Sequence, residues 1–192
     1  MSKSIFIFIF IFFLFPVLFP TPSLSEKSIP EDENIEVCQS CHGQEMLADD
    51  PLVPNISGQH FFYIYTQLKD YKSNRRAHEI MTLMASGLEK DIMKKISTYY
   101  SEKKWTGFRA KNTYDISLAE STISAGQCSQ CHGDWTGASG VPRLAGQKES
   151  YLKETMNAFK TSTRLNSASK NSLFKTISDE AINALSGYLA DQ

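Results

Sequence analysis

Spare cysteines, an excess of charge of either sign, sheet-like periodicity and long apolar runs are all missing from this chain of 192 residues. Lys and Arg number 20 against 21 Asp and Glu, a formal net charge of −1, so the basic footprint of a nucleic-acid binder is absent. No segment alternates apolar and polar residues convincingly, which removes the signature of half-buried strands. The cysteines number four, and all of them fall in two short motifs, leaving none as a free nucleophile. No acid–base or nucleophile constellation stands out elsewhere, which counts against an enzyme. The longest unbroken apolar run, Ile5 to Phe15, covers 11 residues, well short of the ~20 that span a bilayer.

That run follows Lys3, breaks between Pro16 and Pro22, and is followed by Ser23-Leu24-Ser25. Residues 1–25 therefore read as a secretory signal peptide, with a periplasmic destination for the remainder. The rival is a retained anchor and peripheral membrane association, because the apolar stretch reaches Leu24 once the prolines are counted. Without residues 1–25 the chain keeps 167 residues, enough for one or two small cores.

The two motifs are Cys38-Gln39-Ser40-Cys41-His42 and Cys128-Ser129-Gln130-Cys131-His132. Each is a C-x-x-C-H run, the attachment pattern of a c-type haem. Two thiols three positions apart on one helical turn can form thioethers to two vinyl groups of one porphyrin, and the adjacent His then faces the iron as an axial ligand. A zinc ribbon also uses paired C-x-x-C motifs, but its pairs lie about 15–20 residues apart. Here 86 residues separate Cys41 from Cys128. A thioredoxin-like redox pair needs one copy and no following His. The expectation is two covalently attached haems, on Cys38 and Cys41 with His42, and on Cys128 and Cys131 with His132.

The chain also repeats itself at an offset of 88 to 90 residues. Pro54-Asn55-Ile56-Ser57-Gly58-Gln59 recurs as Pro142-Arg143-Leu144-Ala145-Gly146-Gln147, Tyr63 matches Tyr151, and Tyr71 matches Phe159. Each half reads as a helix carrying the motif, a Pro/Gly-containing loop, an amphipathic helix, a polar loop and a terminal helix. The amphipathic helices are predicted over 61–72 and 150–160, where Leu152, Met156 and Phe159 share a face. Terminal helices are predicted over 90–101 and 179–190, the latter capped near Ser178.

Tandem modules of this kind resemble the periplasmic dihaem cytochromes of the c-four type. The resemblance covers residues 31–192, and its more specific part is the twice-present P-x-[IL]-x-G-Q segment before an aromatic-bearing helix. It implies an all-α fold of two class I cytochrome c modules: 26–101, a linker over 102–116, and 117–192. It further implies that the carbonyls of Pro54 and Pro142 orient His42 and His132. In the family's M-T-x-M pattern the first methionine is the second axial ligand, which assigns Met81 to the first iron. Met84 and Met93 then read as packing, and His60 and His78 as a structural and an exposed loop histidine.

The second half departs from that pattern, because no methionine follows Met156. Met81 lies 18 residues before Tyr99, and the same count back from Tyr188 reaches Lys170. Three arrangements stay open: a neutral Lys170 amine on the iron, an open or water-filled position, or Met156. Under either of the first two, the second haem should have the lower potential, since an amine is a harder ligand than a thioether. Trp105 and Trp135 read as interface or core residues. Arg75, Arg76 and Arg164 read as exposed loop charges, with neutralisation of haem propionates as the alternative.

The resulting functional expectation is one-electron transfer, with a quinol–cytochrome c reductase as donor and a haem–copper terminal oxidase as acceptor. A dihaem acceptor subunit of a dehydrogenase, for example one oxidising sulfur compounds, is the second reading. A ligand-binding haem protein built on an open second site is the third.

Overall fold

The computed structural model describes residues 31–43, 50–108 and 113–192. Residues 1–25, read above as a signal peptide, lie outside the described residues. Among the described residues the structure is helical, with no strand beyond two isolated backbone bridges. Helix α1 (Glu31–His42) carries the first motif and rests on α4 (Lys90–Ser101). Helix α2 (Phe61–Lys72) lies against both α3 (Glu79–Ser86) and α4. The second group repeats the scheme. Helix α5 (Ile116–Ala125) and α7 (Glu149–Lys160) pack on α9 (Asp179–Asp191), and α8 (Ala168–Phe174) packs on α7. The short α6 (Ser129–His132) completes the second motif.

The amphipathic and terminal helices stand where periodicity put them, because each has an apolar stripe to bury. Ile64, Leu68, Met93, Ile96 and Tyr100 form the first core. Trp135, Leu152, Met156, Ile182, Leu185 and Leu189 form the second. Ile96 and Ile182 are fully buried, and removing each from water stabilises the fold by about 1.5–3 kcal/mol. Ser178 accepts a hydrogen bond from the Ala181 N–H and caps α9.

Two expectations need correction. The polar loops before the terminal helices contain α3 and α8. Both are short, and the start of α3 is marked by side-chain chemistry, whereas Ser167 before α8 makes no side-chain cap hydrogen bond. His78 Nδ1 accepts from the Met81 N–H at 3.3 Å, and the His78 N–H donates to Thr82 Oγ1 at 3.0 Å. His78 is thus exposed but is a helix cap rather than a loop residue. The second correction concerns Arg76 and Arg164, which are buried rather than exposed.

The two groups of helices interlock through the repeated P-x-[IL]-x-G-Q segments. Gln147 Nε2 donates to the Asn55 carbonyl at 2.8 Å while its Oε1 accepts from the Asn55 N–H at 2.9 Å. Gln59 treats Arg143 the same way, at 3.1 and 2.9 Å. The contacts are reciprocal: each glutamine serves the backbone of the residue four before its own counterpart. The segment after α4 threads across the paired glycines. A Cβ on Gly58 would collide with the Trp105 backbone, and one on Gly146 would come within 2.6 Å of Gly107 Cα. Both glycines also have positive φ, so the motif requires glycine twice over. Trp105 donates its indole N–H to the Ala145 carbonyl at 2.9 Å, and His60 Nε2 meets the Thr136 carbonyl at 2.9 Å. Both act as ties between the two halves.

Candidate functional site

Helix α1 places Cys38, Cys41 and His42 at positions i, i+3 and i+4, on one face. The thiols are unpaired, Cys38 half-buried and Cys41 exposed. Burial pushes the Cys38 thiol up to about 11, with the neighbouring Cys41 adding to the shift. His42 Nδ1 lies 3.1 Å from the Pro54 carbonyl. Burial lowers the pKa of the ring, against the opposing pull of that contact, so the neutral imidazole is favoured. A neutral ring that donates from Nδ1 leaves Nε2 with a free lone pair.

His42, Cys41, Pro54, Leu68 and Met81 line one cavity of about 380 Å³. The second half builds the same arrangement from the α6 region. Cys128 and Cys131 are unpaired, and His132 Nδ1 lies 3.4 Å from the Pro142 carbonyl. Burial again lowers the histidine pKa, followed by the charge of Lys170. His132, Pro142, Met156, Phe159 and Lys170 line a second cavity of about 90 Å³.

The donor chemistry fits a covalently held haem at both places. Each offers two free thiols on one helical turn, a neutral imidazole with one nitrogen fixed, and largely apolar walls. The buried Tyr100 hydroxyl, electrostatically coupled to Cys38 and Cys41, finds no protein partner among the described residues. A zinc reading has no support in the geometry: among the described residues, no three or more His, Cys, Asp or Glu cluster as a metal site.

A pair of buried arginines lies between the cavities. The backbones of Arg76 and Arg164 form an antiparallel bridge, and both side chains turn inward. Arg76 donates to Gln67 Oε1 at 2.8 Å and to the Tyr151 hydroxyl at 2.9 Å. Arg164 donates to the same Gln67 oxygen at 2.9 Å. Each guanidinium also covers an aromatic ring, Arg76 over Tyr71 at 4.7 Å and Arg164 over Phe159 at 4.4 Å. Burial pushes the Tyr151 phenol up, but Arg76 and Arg164 outweigh it and hold the group below its ordinary value. Tyr63, Tyr151 and Arg164 line both cavities, so the two sites meet at a buried positive junction. The signal was available in the repeat, where Arg76 and Arg164 stand at the same offset of 88 as Tyr63 and Tyr151.

Met81 and Lys170 each lie in a short helix above their histidine's cavity. Lys170 is half-buried, its ammonium 5.6 Å from the Phe159 ring centre. Burial lowers its pKa, and Arg164 adds to the shift. Met156 is buried in the second core, whereas Met84 is exposed.

No protein-family model matches the chain. Cytochrome c4 of Thiocapsa roseopersicina is 32% identical over 184 residues, covering 88% of this chain and 93% of that protein. A protein of Stutzerimonas stutzeri named thiosulfate dehydrogenase electron acceptor is 26% identical over 174 residues, covering 80% of this chain and 78% of that one. A solved structure of cytochrome c4 from Acidithiobacillus ferrooxidans superposes with a TM-score of 0.69 at 27% identity, over 82% of this chain and 99% of the other.

Proposed function

The chain belongs to the cytochrome c4 family, and on that premise we propose that it is a periplasmic carrier passing single electrons between respiratory-chain proteins. It is an all-α dihaem cytochrome with covalently bound haems, and its relatives are electron-carrier cytochromes. Each haem supplies a one-electron ferrous/ferric couple.

In this reading Cys38 and Cys41 hold the first haem, and Cys128 and Cys131 the second. His42 and His132 are the proximal ligands, kept neutral and oriented by Pro54 and Pro142. Met81 is the distal ligand of the first iron, where its soft thioether favours the ferrous state and raises the potential. Arg76 and Arg164 would face the acidic edges of both cofactors. The modules run over 26–101 and 117–192, joined by 102–116, and residues 1–25 direct export.

One observation carries the proposal: the cavity of His42 and the cavity of His132 are both lined by Tyr63, Tyr151 and Arg164, which supports a reading with two redox groups close to one another. Reductive titration of the holoprotein should consume two electrons per chain, and stopped flow should show oxidation by a haem–copper oxidase and reduction by a quinol–cytochrome c reductase. Failure with both enzymes would remove the respiratory assignment. A dehydrogenase as donor is favoured by the relative named for that role. Rapid reduction by thiosulfate dehydrogenase with thiosulfate, and slow reduction by the reductase, would select it.

A further inference from the structure

The distal positions of the two sites can be compared through helix register, independently of residue counting. His78 is the N-cap of α3 and Ser167 the N-cap of α8. Met81 and Lys170 are each the third residue after that cap. The repeat offset is 88 at Arg76 and Arg164 but 89 at the two caps. One extra residue therefore lies between Arg164 and Ser167, before α8 begins.

That extra residue is anchored rather than looped out. Asn166 Nδ2 donates to Asp70 Oδ2 at 2.8 Å and to Gln67 Oε1 at 3.1 Å, and its own Oδ1 accepts from Arg164 Nε at 2.9 Å. Past it, Asn171 Nδ2 donates to the Phe159 and Arg164 carbonyls, both at 2.8 Å, fixing α8 on α7. The register of Lys170 over the His132 cavity is thus set on both sides.

Met156 occupies a different place. Helices α2 and α7 align at an offset of 88 through Tyr63 and Tyr151 and through Tyr71 and Phe159, which puts Met156 where the first half has Leu68. Leu68 and Met156 are buried to the same degree, 7% and 6% exposed, and each lines its own cavity. Met156 is a wall residue.

We propose that the Lys170 amine is the distal axial ligand of the second haem, at the position Met81 holds for the first. This rests on the dihaem reading above. Binding uses the nitrogen lone pair, releases one proton to solvent and leaves the iron's oxidation state unchanged. An amine stabilises ferric iron more than a thioether does, so the second haem becomes the lower-potential centre. Electrons then run from the second module to the first.

The test uses the full holoprotein, with haem counted as pyridine haemochrome. Near-infrared magnetic circular dichroism of the ferric wild type should show two low-spin haems, one His/Met and one His/amine. Lys170→Ala and Lys170→Arg, the latter keeping length and charge without a coordinating nitrogen, should both lose the amine band. After dithionite reduction, both should bind carbon monoxide rapidly at one equivalent per two haems, which the wild type should not. Lys170→Met should give two His/Met bands and a raised potential for the second haem. Rapid carbon monoxide binding by the wild type, unchanged in Lys170→Ala, would overturn the proposal in favour of an open site. Two His/Met bands in the wild type would overturn it in favour of Met156. These wild-type spectra decide even if a variant fails to fold. Fewer than two haems per chain would instead overturn the dihaem reading and the ligand assignment with it.

Discussion

Replacing Gln147 with alanine should weaken the first half of the molecule although the residue belongs to the second. The Gln147 side chain is buried and makes both of its long-range hydrogen bonds to the Asn55 backbone. Truncation strands the N–H and the carbonyl of Asn55, itself 4% exposed. A buried polar group left unpaired costs about 1–3 kcal/mol, so two of them set an expected loss of about 2–6 kcal/mol. Asn55 follows Pro54, whose carbonyl meets His42 Nδ1, so the perturbation reaches the proximal side of the first site. The assay is guanidinium unfolding of the holoprotein, followed by the Soret bands of the two haems. Gln59→Ala should act reciprocally on Arg143 and the second site. A loss below about 0.5 kcal/mol, the usual range for surface substitutions, would refute the argument. So would a loss confined to the second haem.

Three further outcomes follow from the same geometry. Met81→Ala should open the first iron, lower its potential and admit carbon monoxide there, as read by spectroelectrochemistry and gas titration; an unchanged spectrum would point to another ligand. Gly58→Ala should destabilise more than a helix-surface Gly→Ala change, by about 1–3 kcal/mol for a strained backbone, because it meets both positive φ and the Trp105 backbone; thermal unfolding of the holoprotein measures it. Arg76→Leu removes a buried positive charge from the junction and should lower the potentials of both haems, since ferric iron is then less repelled; a shift at one haem alone would contradict a shared junction.

The haem motifs, the repeat and four of the helices were legible because each is a local pattern. Thiol spacing on one turn, or an apolar stripe such as Leu152, Met156 and Phe159, needs no knowledge of the other half. Helices α3 and α8 were not legible, since the His78 cap and packing on α2 define the first, and packing on α7 with the Asn171 hydrogen bonds defines the second. Counting back from the terminal helix reaches Lys170 without meeting the extra residue, which precedes α8: the offset is 89 at Met81 and Lys170 and still 89 at Tyr99 and Tyr188. Arg76 and Arg164 were misread for a different reason. Loop charges normally face water, and only the docking of two modules shows that these lie inside.

The reciprocal grip of Gln59 and Gln147 has the form of an isologous dimer interface, the same patch used by both partners. In a dimer of identical chains, every substitution at such a face appears twice, and both metal centres must stay alike. Fusion into one chain lifts that restriction. The contacts that join the halves can remain symmetric while Met81 and Lys170 diverge. One chain can thus hold two matching halves whose third residue after the helix cap differs, Met81 in one and Lys170 in the other.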